Sequence, residues 1–262
     1  MQIKEIIDAL KAVAPERWQE GFDNTGLQVG DAEAECSGAM LCVDATPEIV
    51  AEAVERGCNL IITHHPLIFR PLKSITGHGR VAATIVAAIR AGVAIYSCHT
   101  SIDNAPAVGV SWEMGKMLGL SDIEPLERKG PEETGCGIIG TLPRPMTPVE
   151  LVETVKQTFG TPTARCSSLR AAAATISRIG LCGGAGSFLI DEAVERGAQA
   201  FITSDCKHNH FIDFLGSIFL VDIGHYESEE CTKRIFYHII KEKFANFAVY
   251  YSQLDKNPIN YL

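Results

Sequence analysis

Two adjacent histidines follow directly after a short apolar run, which makes them the leading candidates for chemistry. The run from Leu60 to Ile62 predicts a short buried strand, and His64 and His65 come at its end. Proteins of the α/β class place functional groups at strand ends. Because Pro66 cannot extend the ladder of a sheet, the chain bends there and can aim both imidazoles into one cleft. Imidazole is a common metal ligand, so the pair predicts part of a metal site.

Two later segments also lead from apolar strands into polar residues. The apolar segment that starts at Val93 is predicted to be a strand that ends polar and presents His99 and Asp103. The last apolar strand opens into His225 and Glu229, which are four residues apart and would share one face of a helix. An ordinary helix start, with acidic residues near its positive end, is the alternative interpretation of this second pair.

Together these positions form a mixed nitrogen and oxygen ligand set: His64, His65, Asp103, His225 and Glu229. A metal ion rarely needs five protein ligands, so two divalent ions that share them account for the set better. Two cations can lower the pKa of a bridging water and hold the attacking and leaving oxygens, which predicts metal-assisted hydrolysis. Ligands without thiolates fit Zn, Mn, Fe, Co or Ni and do not choose among them. His99 is better placed to orient a ligand or carry a proton, with a hydrogen-bonded strand histidine as the alternative.

The order of elements around these residues predicts an α/β fold. Strand, helix, strand, helix, strand is the pattern of a parallel sheet, in which the carboxyl ends of the strands share one edge. One helix is predicted between Thr46, which caps it, and Gly57, which ends it, and another from about His78 to Ala91. This topology would make the histidine pair and Asp103 neighbours although they are far apart in sequence.

An internal repeat predicts that the fold consists of two similar α/β lobes. The hexapeptide EAVERG at 52–57 recurs letter for letter at 192–197, and at the same offset of 140 residues two strand dipeptides also match. Matching strands on both sides at one constant offset favour duplication over chance. The copies differ where the first has its histidine pair, because the second has Ser204 and Asp205 there.

The lobes are predicted to be separated by a segment rich in proline, glycine and charge, Glu124 to Pro148. We expect a first lobe of residues 1–125, completed by residues 225–262, and a second lobe of residues 126–224. The metal site is expected in the cleft at the carboxyl ends of the strands; the same strand-end position exists in both lobes, and only the first lobe supplies a histidine pair.

Three further segments leave their roles open. CGGAGS at Cys182 to Ser187 lacks the spacing of nucleotide-binding glycine loops and favours a close turn between strand and helix over a phosphate cradle. The turn-rich segment Gly21 to Gly30 is either a structural turn or a loop that lines the site. Lys207, His208 and His210 form a polar cluster. This cluster either faces the same cleft as the predicted metal ligands or lies elsewhere.

Composition and charge exclude several classes of protein. The chain has 262 residues, 46% of them hydrophobic and 21% charged, which is typical of a soluble globular protein without membrane partners. A net charge of −9 argues against a binder of nucleic-acid backbones, but not against one nucleotide held through metal ions. Nine cysteines without a C-x-x-C pair favour reduced thiols in a cytoplasmic protein. The first helix is amphipathic rather than a signal peptide, and the longest apolar run, Val81 to Ile89, is too short to span a bilayer.

Six motifs together cover nearly the whole chain: DNTGLQVG, ITHHPLIF, HTSIDNAP, CGGAGS, GHYESE and DKNPI. In this order they resemble the NIF-three-like family, dinuclear-metal proteins often named GTP cyclohydrolase 1 type 2 homologues. The resemblance implies two similar lobes in a toroidal homohexamer whose metals face an inner cavity. It implies a metal pair held by the five ligands proposed above: His64, His65, Asp103, His225 and Glu229. The family pattern after the second-lobe strand tends to read T-G-D-x-K-Y-H, whereas this chain has TSDCKHN from Thr203, so no histidine role is transferred there.

Two functions from different classes follow. The first is a cytoplasmic metal-dependent hydrolase of a small nucleotide-like or phosphorylated substrate, of the GTP cyclohydrolase 1 type 2 kind. The second is a non-catalytic, metal-dependent binding or regulatory ring protein, in which the metals hold a ligand or a partner without chemistry.

Overall fold

The computed structural model describes residues 1–130 and 133–262 as a mixed α/β protein with two sheets. Its α-helices are Ile3–Val13 (α1), Pro47–Glu55 (α2), Arg80–Ala91 (α3), Thr100–Asp103 (α4), Val110–Met117 (α5), Pro148–Phe159 (α6), Ile190–Glu195 (α7), His208–Asp213 (α8), His225–Glu229 (α9) and Thr232–Lys243 (α10). Its strands are Gly26–Val29 (β1), Ala39–Cys42 (β2), Leu60–Thr63 (β3), Ala94–Ser97 (β4), Ser121–Pro125 (β5), Ile138–Met146 (β6), Arg165–Cys166 (β7), Ile176–Leu181 (β8), Ala200–Thr203 (β9), Phe219–Asp222 (β10) and Val249–Tyr251 (β11).

The chain packs as two compact units. Unit 1 contains Met1–Ile102 and Thr232–Lys256, and unit 2 contains Asp103–Cys231 and Asn257–Leu262. The lobe boundaries expected from the sequence, at 125/126 and 224/225, differ from these and stay a prediction of domain organisation. The predicted connecting segment includes β6 of the second sheet, and its residues 131–132 lie outside the described part of the chain.

Unit 1 is built on a five-stranded sheet in the order β1-β4-β3-β2-β11. Strands β11, β2, β3 and β4 run parallel, and β1 pairs antiparallel with β4 at the edge. All four residues of β3 are buried, as expected of a parallel strand that is covered on both faces. Helix α2 begins as predicted. The Thr46 side chain accepts a hydrogen bond from the backbone N–H of Ile49, and Pro47 occupies the first turn of the helix.

Unit 2 is built on a six-stranded sheet in the order β5-β6-β8-β9-β10-β7. Its central strands β8, β9 and β10 are parallel, and β7 pairs antiparallel with β10. Helix α7 packs on this sheet through Ile190 and Ala193, which share a core cluster with Phe201 of β9 and Leu220 of β10. Strands β5 and β6 extend the sheet as antiparallel additions.

The two sheets repeat one another, as the internal repeat predicts. In each, three parallel strands in sequence order (β2, β3, β4 and β8, β9, β10) carry an antiparallel edge strand beside the third. The two EAVERG segments end their helices alike. Gly57 and Gly197 both adopt positive φ, at 70° and 78°, and donate to the carbonyls of Val54 and Val194 at 3.0 Å. The α/β fold with duplicated lobes is therefore confirmed.

The segment after β4 differs from its prediction as a strand. β4 ends at Ser97, and Thr100–Asp103 forms the helical turn α4, so His99 and Asp103 are not strand residues. The reason is a long-range cap: the Asp23 carboxylate accepts from the backbone N–H of Thr100 at 2.9 Å, as a capping side chain does at a helix start. No helix among residues 1–130 and 133–262 combines the length and hydropathy that crossing a bilayer requires.

Candidate metal centre

Three histidines gather at the carboxyl ends of β3 and β4 in unit 1. The ring centroid of His64 lies 5.1 Å from that of His65 and 5.1 Å from that of His99, and the other two are 5.5 Å apart. Their candidate ligand nitrogens all lie within 4.8 Å of one another. His64 is fully buried, whereas the other two are partly exposed. The predicted pair is thus brought together with His99, which is close enough to act on the same ligand.

The Nδ1 atoms of the histidine pair are engaged by acceptors. His64 Nδ1 lies 3.3 Å from the carbonyl oxygen of Cys98, and His65 Nδ1 lies 3.1 Å from Oδ2 of Asp44. A carbonyl can only accept, so the bond places the proton of a neutral His64 on Nδ1 and the lone pair on Nε2. Histidines that bind metals are held in this way, with one nitrogen oriented by an acceptor and the other facing the ion.

Asp23 holds His99 from the turn-rich segment near the N-terminus. Its carboxylate lies 2.8 Å from His99 Nδ1 and also accepts from Thr100 and, at 3.1 Å, from the Thr25 hydroxyl. Burial raises the pKa of Asp23, but the hydrogen bonds from His99 and Thr100 outweigh it and hold that pKa well below its ordinary value. Of the two interpretations left open for residues 21–30, the structure supports a loop that contacts the histidine cluster.

His225 and Glu229 form the expected pair on one face of α9 in unit 2. His225 Nε2 lies 3.0 Å from Oε2 of Glu229, and Nδ1 lies 2.7 Å from Oδ2 of Asp205. Asp205 adopts a left-handed backbone, with φ of 54°, which aspartate tolerates better than most residues. The residue that replaces a histidine in the second copy therefore orients another histidine.

The CGGAGS loop supports α9 as a close turn. Gly184 adopts a φ of 64°, and a Cβ at this position would collide with the carboxylate of Glu229. The Gly184 N–H donates to the Ser228 hydroxyl at 2.8 Å, and that hydroxyl donates to the carbonyl of His225 at 2.8 Å. The glycine thus makes room for a carboxylate that is only 4% exposed. This arrangement agrees with a turn and leaves a phosphate cradle unsupported.

Asp103 lies in unit 2, near the same loop. Burial raises the pKa of the Cys182 thiol well above its ordinary value, and the neighbouring Cys136, Asp103 and Glu229 side chains add to this effect. Both predicted carboxylate ligands therefore act on the Cys182 thiol and oppose its ionisation.

His208 and His210 occupy α8. The Nδ1 atom of His210 accepts from the backbone N–H of Lys207 at 3.1 Å, which is a local bond at the start of the helix. Among the residues that the structure describes, neither histidine belongs to a cluster of three potential ligands. Of the alternatives left open for this polar cluster, the structure favours a local role.

The comparisons with known proteins decide the family. Residues 1–258 match the model of the Duf34/NIF3 family (NGG1p interacting factor 3). The chain belongs to this family. The NIF-three-like resemblance of the motifs is thereby confirmed.

Relatives of this family align along most of the chain. A protein of Lactococcus lactis, named GTP cyclohydrolase 1 type 2 homolog, is 33% identical over an alignment 264 residues long that covers 98% of each chain. A Clostridium perfringens protein of the same name is 32% identical over an alignment of 236 residues that covers 87% of each chain. Among solved structures, a Staphylococcus aureus hypothetical protein has a TM-score of 0.91 at 26% identity, covering 100% of this chain and 99% of its own.

The residues of this NIF-three-like chain fit divalent metal ions. The imidazoles of His65 and His225 are each oriented by an aspartate, and the carboxylate of Glu229 occupies the space that the missing Cβ of Gly184 leaves open. Nitrogen and oxygen donors of this kind suit the transition metals predicted from the sequence. The structure provides possible ligand groups of histidine and glutamate.

Three orienting carboxylates were missed by the sequence analysis: Asp23, Asp44 and Asp205. A signal for two of them was present, because Asp44 closes the apolar segment MLCVD and Asp205 follows the apolar segment AFITS. Asp23 carried no comparable signal, since it reaches His99 across 76 residues of sequence.

Proposed function

We propose that the chain binds two divalent metal ions and acts as a hydrolase of a small nucleotide-like or phosphorylated substrate. The proposed ligands are His64, His65, Asp103, His225 and Glu229. The observation that carries the proposal is the shared arrangement of the imidazoles of His64, His65 and His225, in which an acceptor holds Nδ1 and Nε2 is the proposed ligand atom. At His225 this Nε2 lies 3.0 Å from Oε2 of Glu229, which is itself a proposed ligand. The name of the bacterial relatives, GTP cyclohydrolase 1 type 2 homolog, agrees with this reaction class.

The chain's own residues have distinct roles in this proposal. A metal pair, when bound, would supply Lewis-acid activation of water and of the bond that is cleaved. Asp44 and Asp205 orient His65 and His225, so that less conformational freedom is lost when ions bind. His99 gives or takes a proton at Nε2, because the Asp23 carboxylate engages Nδ1 at 2.8 Å.

The test starts with elemental analysis of protein purified without added metal. We expect two ions per chain, and turnover with that metal in a panel of nucleotides and phosphoesters. The Asp103→Ala variant should lose at least one ion, whereas Asp191→Ala, an exposed aspartate of α7, should keep both. Protein without bound metal, or Asp103→Ala with unchanged metal content, would contradict the proposed site.

A second candidate function is a metal-dependent binding or regulatory protein without chemistry. The family description, an interacting factor, is the observation that favours it. Two ions per chain without turnover across the panel would select this function. The homohexamer implied by the resemblance belongs to both proposals, and light scattering after size exclusion would show six chains per particle.

A further inference from the structure

Two exposed phenylalanines stand beside the histidine cluster of unit 1. Phe22 is 66% exposed and Phe69 is 44% exposed. Their ring centroids are 6.4 Å apart, and the rings are inclined at 69°, so that one presents an edge where the other presents a face. We name this pair the aromatic corner. Removing water from large aromatic side chains lowers the free energy of the system. The exposure of these two rings therefore points to a ligand that covers them.

The aromatic corner is continuous with the candidate metal centre. The Phe69 ring lies 6.3 Å from the His99 ring, centroid to centroid, at an inclination of 83°. His99 in turn lies 5.1 Å from His64 and 5.5 Å from His65. A ligand in the corner therefore meets two apolar rings and the polar imidazole of His99, next to the place where the ions are proposed to bind.

Hydrogen bonds fix the two loops that carry the corner. The Asn24 side chain donates to the carbonyl of Ile68 at 2.6 Å, and Oε1 of Gln28 accepts from the Ile68 N–H at 3.1 Å. Gln28 also donates to the carbonyl of Asn24 at 2.7 Å. These bonds tie the segment that follows Phe22 to the residue before Phe69. The two loops that carry the rings are thus held together before a ligand arrives, which lowers the entropic cost of binding.

We propose that the aromatic corner binds the planar nitrogen heterocycle of the substrate, the base of a nucleotide. The inference rests on the proposed function and narrows its substrate from phosphorylated compounds in general to those that carry a base. A base has apolar faces that stack on phenyl rings and a polar edge that suits His99. A sugar phosphate has no such faces.

Binding of two classes of probe separates these substrates. The probes are the four common nucleoside 5′-monophosphates and ribose 5-phosphate, which differ only by the base, titrated into the full chain by calorimetry with and without bound metal. We expect at least one nucleotide to bind about tenfold or more tightly than ribose 5-phosphate, since stacking of a base contributes about that much.

Paired variants test whether the two rings cause the preference. Phe22→Ala with Phe69→Ala should abolish it and leave ribose 5-phosphate binding unchanged. Phe22→Leu with Phe69→Leu keeps apolar side chains and should lose most of it. Ile89→Ala, which removes another exposed apolar side chain of unit 1, should have no effect. Exposed substitutions of this kind rarely disturb folding.

Three results would overturn the inference. They are the absence of a preference for nucleotides, a preference that survives in the alanine pair, and a change of oligomeric state in that pair, which would show that another copy of the chain covers the corner. Failure of the proposed function has a different signature. It would appear as missing metal or missing turnover, while the metal-free protein still prefers nucleotides.

Discussion

The ends of β3 and β9 occupy the same place in the two copies of the fold and carry different chemistry. Each strand lies between two parallel neighbours and ends in a buried threonine, Thr63 or Thr203. In the first copy the next residues are His64 and His65. In the second copy they are Ser204 and Asp205.

Both copies contain a hydrogen-bonded pair of an aspartate and a histidine, but the two residues stand at the ends of different strands in each copy. In the first copy the histidine follows the middle strand, and Asp44 at the end of the neighbouring strand holds it. In the second copy the aspartate follows the middle strand, and it holds His225 at the end of the next strand. At the position that corresponds to Asp44 the second copy has Gly184, which makes room for Glu229. Each copy therefore has a carboxylate–imidazole pair, with the histidine after the middle strand in the first copy and the aspartate there in the second.

The largest effect is expected when the strand-end residues themselves are compared. His64→Ala should reduce metal content and lower turnover by more than about 100-fold, since losing a residue that only orients a ligand already costs about 10- to 100-fold. Ser204→Ala at the matched position should leave both unchanged. Elemental analysis and the activity panel measure this. Equal losses in both variants would remove the asymmetry between the copies.

A smaller effect is expected at the orienting aspartates. Asp44→Asn and Asp205→Asn should each weaken metal affinity by about 10- to 100-fold, because a neutral amide orients an imidazole without raising its basicity. Titration of metal-depleted protein with a competing chelator provides the affinity. If only one variant loses metal affinity, the two aspartates do not have the same role in their two copies of the fold.

The glycine opposite Glu229 provides a third test. Gly184→Ala and Gly197→Ala both place a Cβ at positive φ, so each should cost about 1–2 kcal/mol in the free energy of unfolding. Only Gly184→Ala should also weaken metal binding, because its Cβ would displace the Glu229 carboxylate, whereas open space surrounds Gly197. Urea unfolding and chelator titration separate the two effects. Unchanged metal affinity in Gly184→Ala would show that metal binding does not require the space beside Gly184 for the Glu229 carboxylate.

The last test concerns the identical hexapeptides and bears on stability alone. Glu52 is buried and accepts from the Ser252 hydroxyl and, at 2.9 Å, from the Gln253 N–H, whereas Glu192 is half-buried. Glu52→Ala should lower the free energy of unfolding by about 1–3 kcal/mol, since it leaves these donors without their acceptor. Glu192→Ala should change it by less than about 0.5 kcal/mol. Equal values for the two variants would mean that the tail of the chain does not stabilise unit 1 through Glu52.

Much of this fold could be predicted because its signals are local. Apolar strands, a threonine cap before Pro47 and the glycine that ends each EAVERG segment are read within a few residues, and the repeat predicted the second sheet from the first. The turn at Thr100–Asp103 could not be predicted, because its cap comes from Asp23, far away in sequence. The aromatic corner was missed for the same reason, since Phe22 and Phe69 meet only after two loops are tied together.

The amino-acid sequence by itself determined the family, the duplicated α/β class and the residue types at each strand end. These follow from periodicity, spacing and motif order, which need no knowledge of distant contacts. Only the tertiary structure decided which carboxylate holds which imidazole, which glycine admits Glu229 and which of two identical glutamates is buried. Each of these depends on a contact of a few ångströms between residues far apart in the chain, and hydrogen bonds act only at such distances.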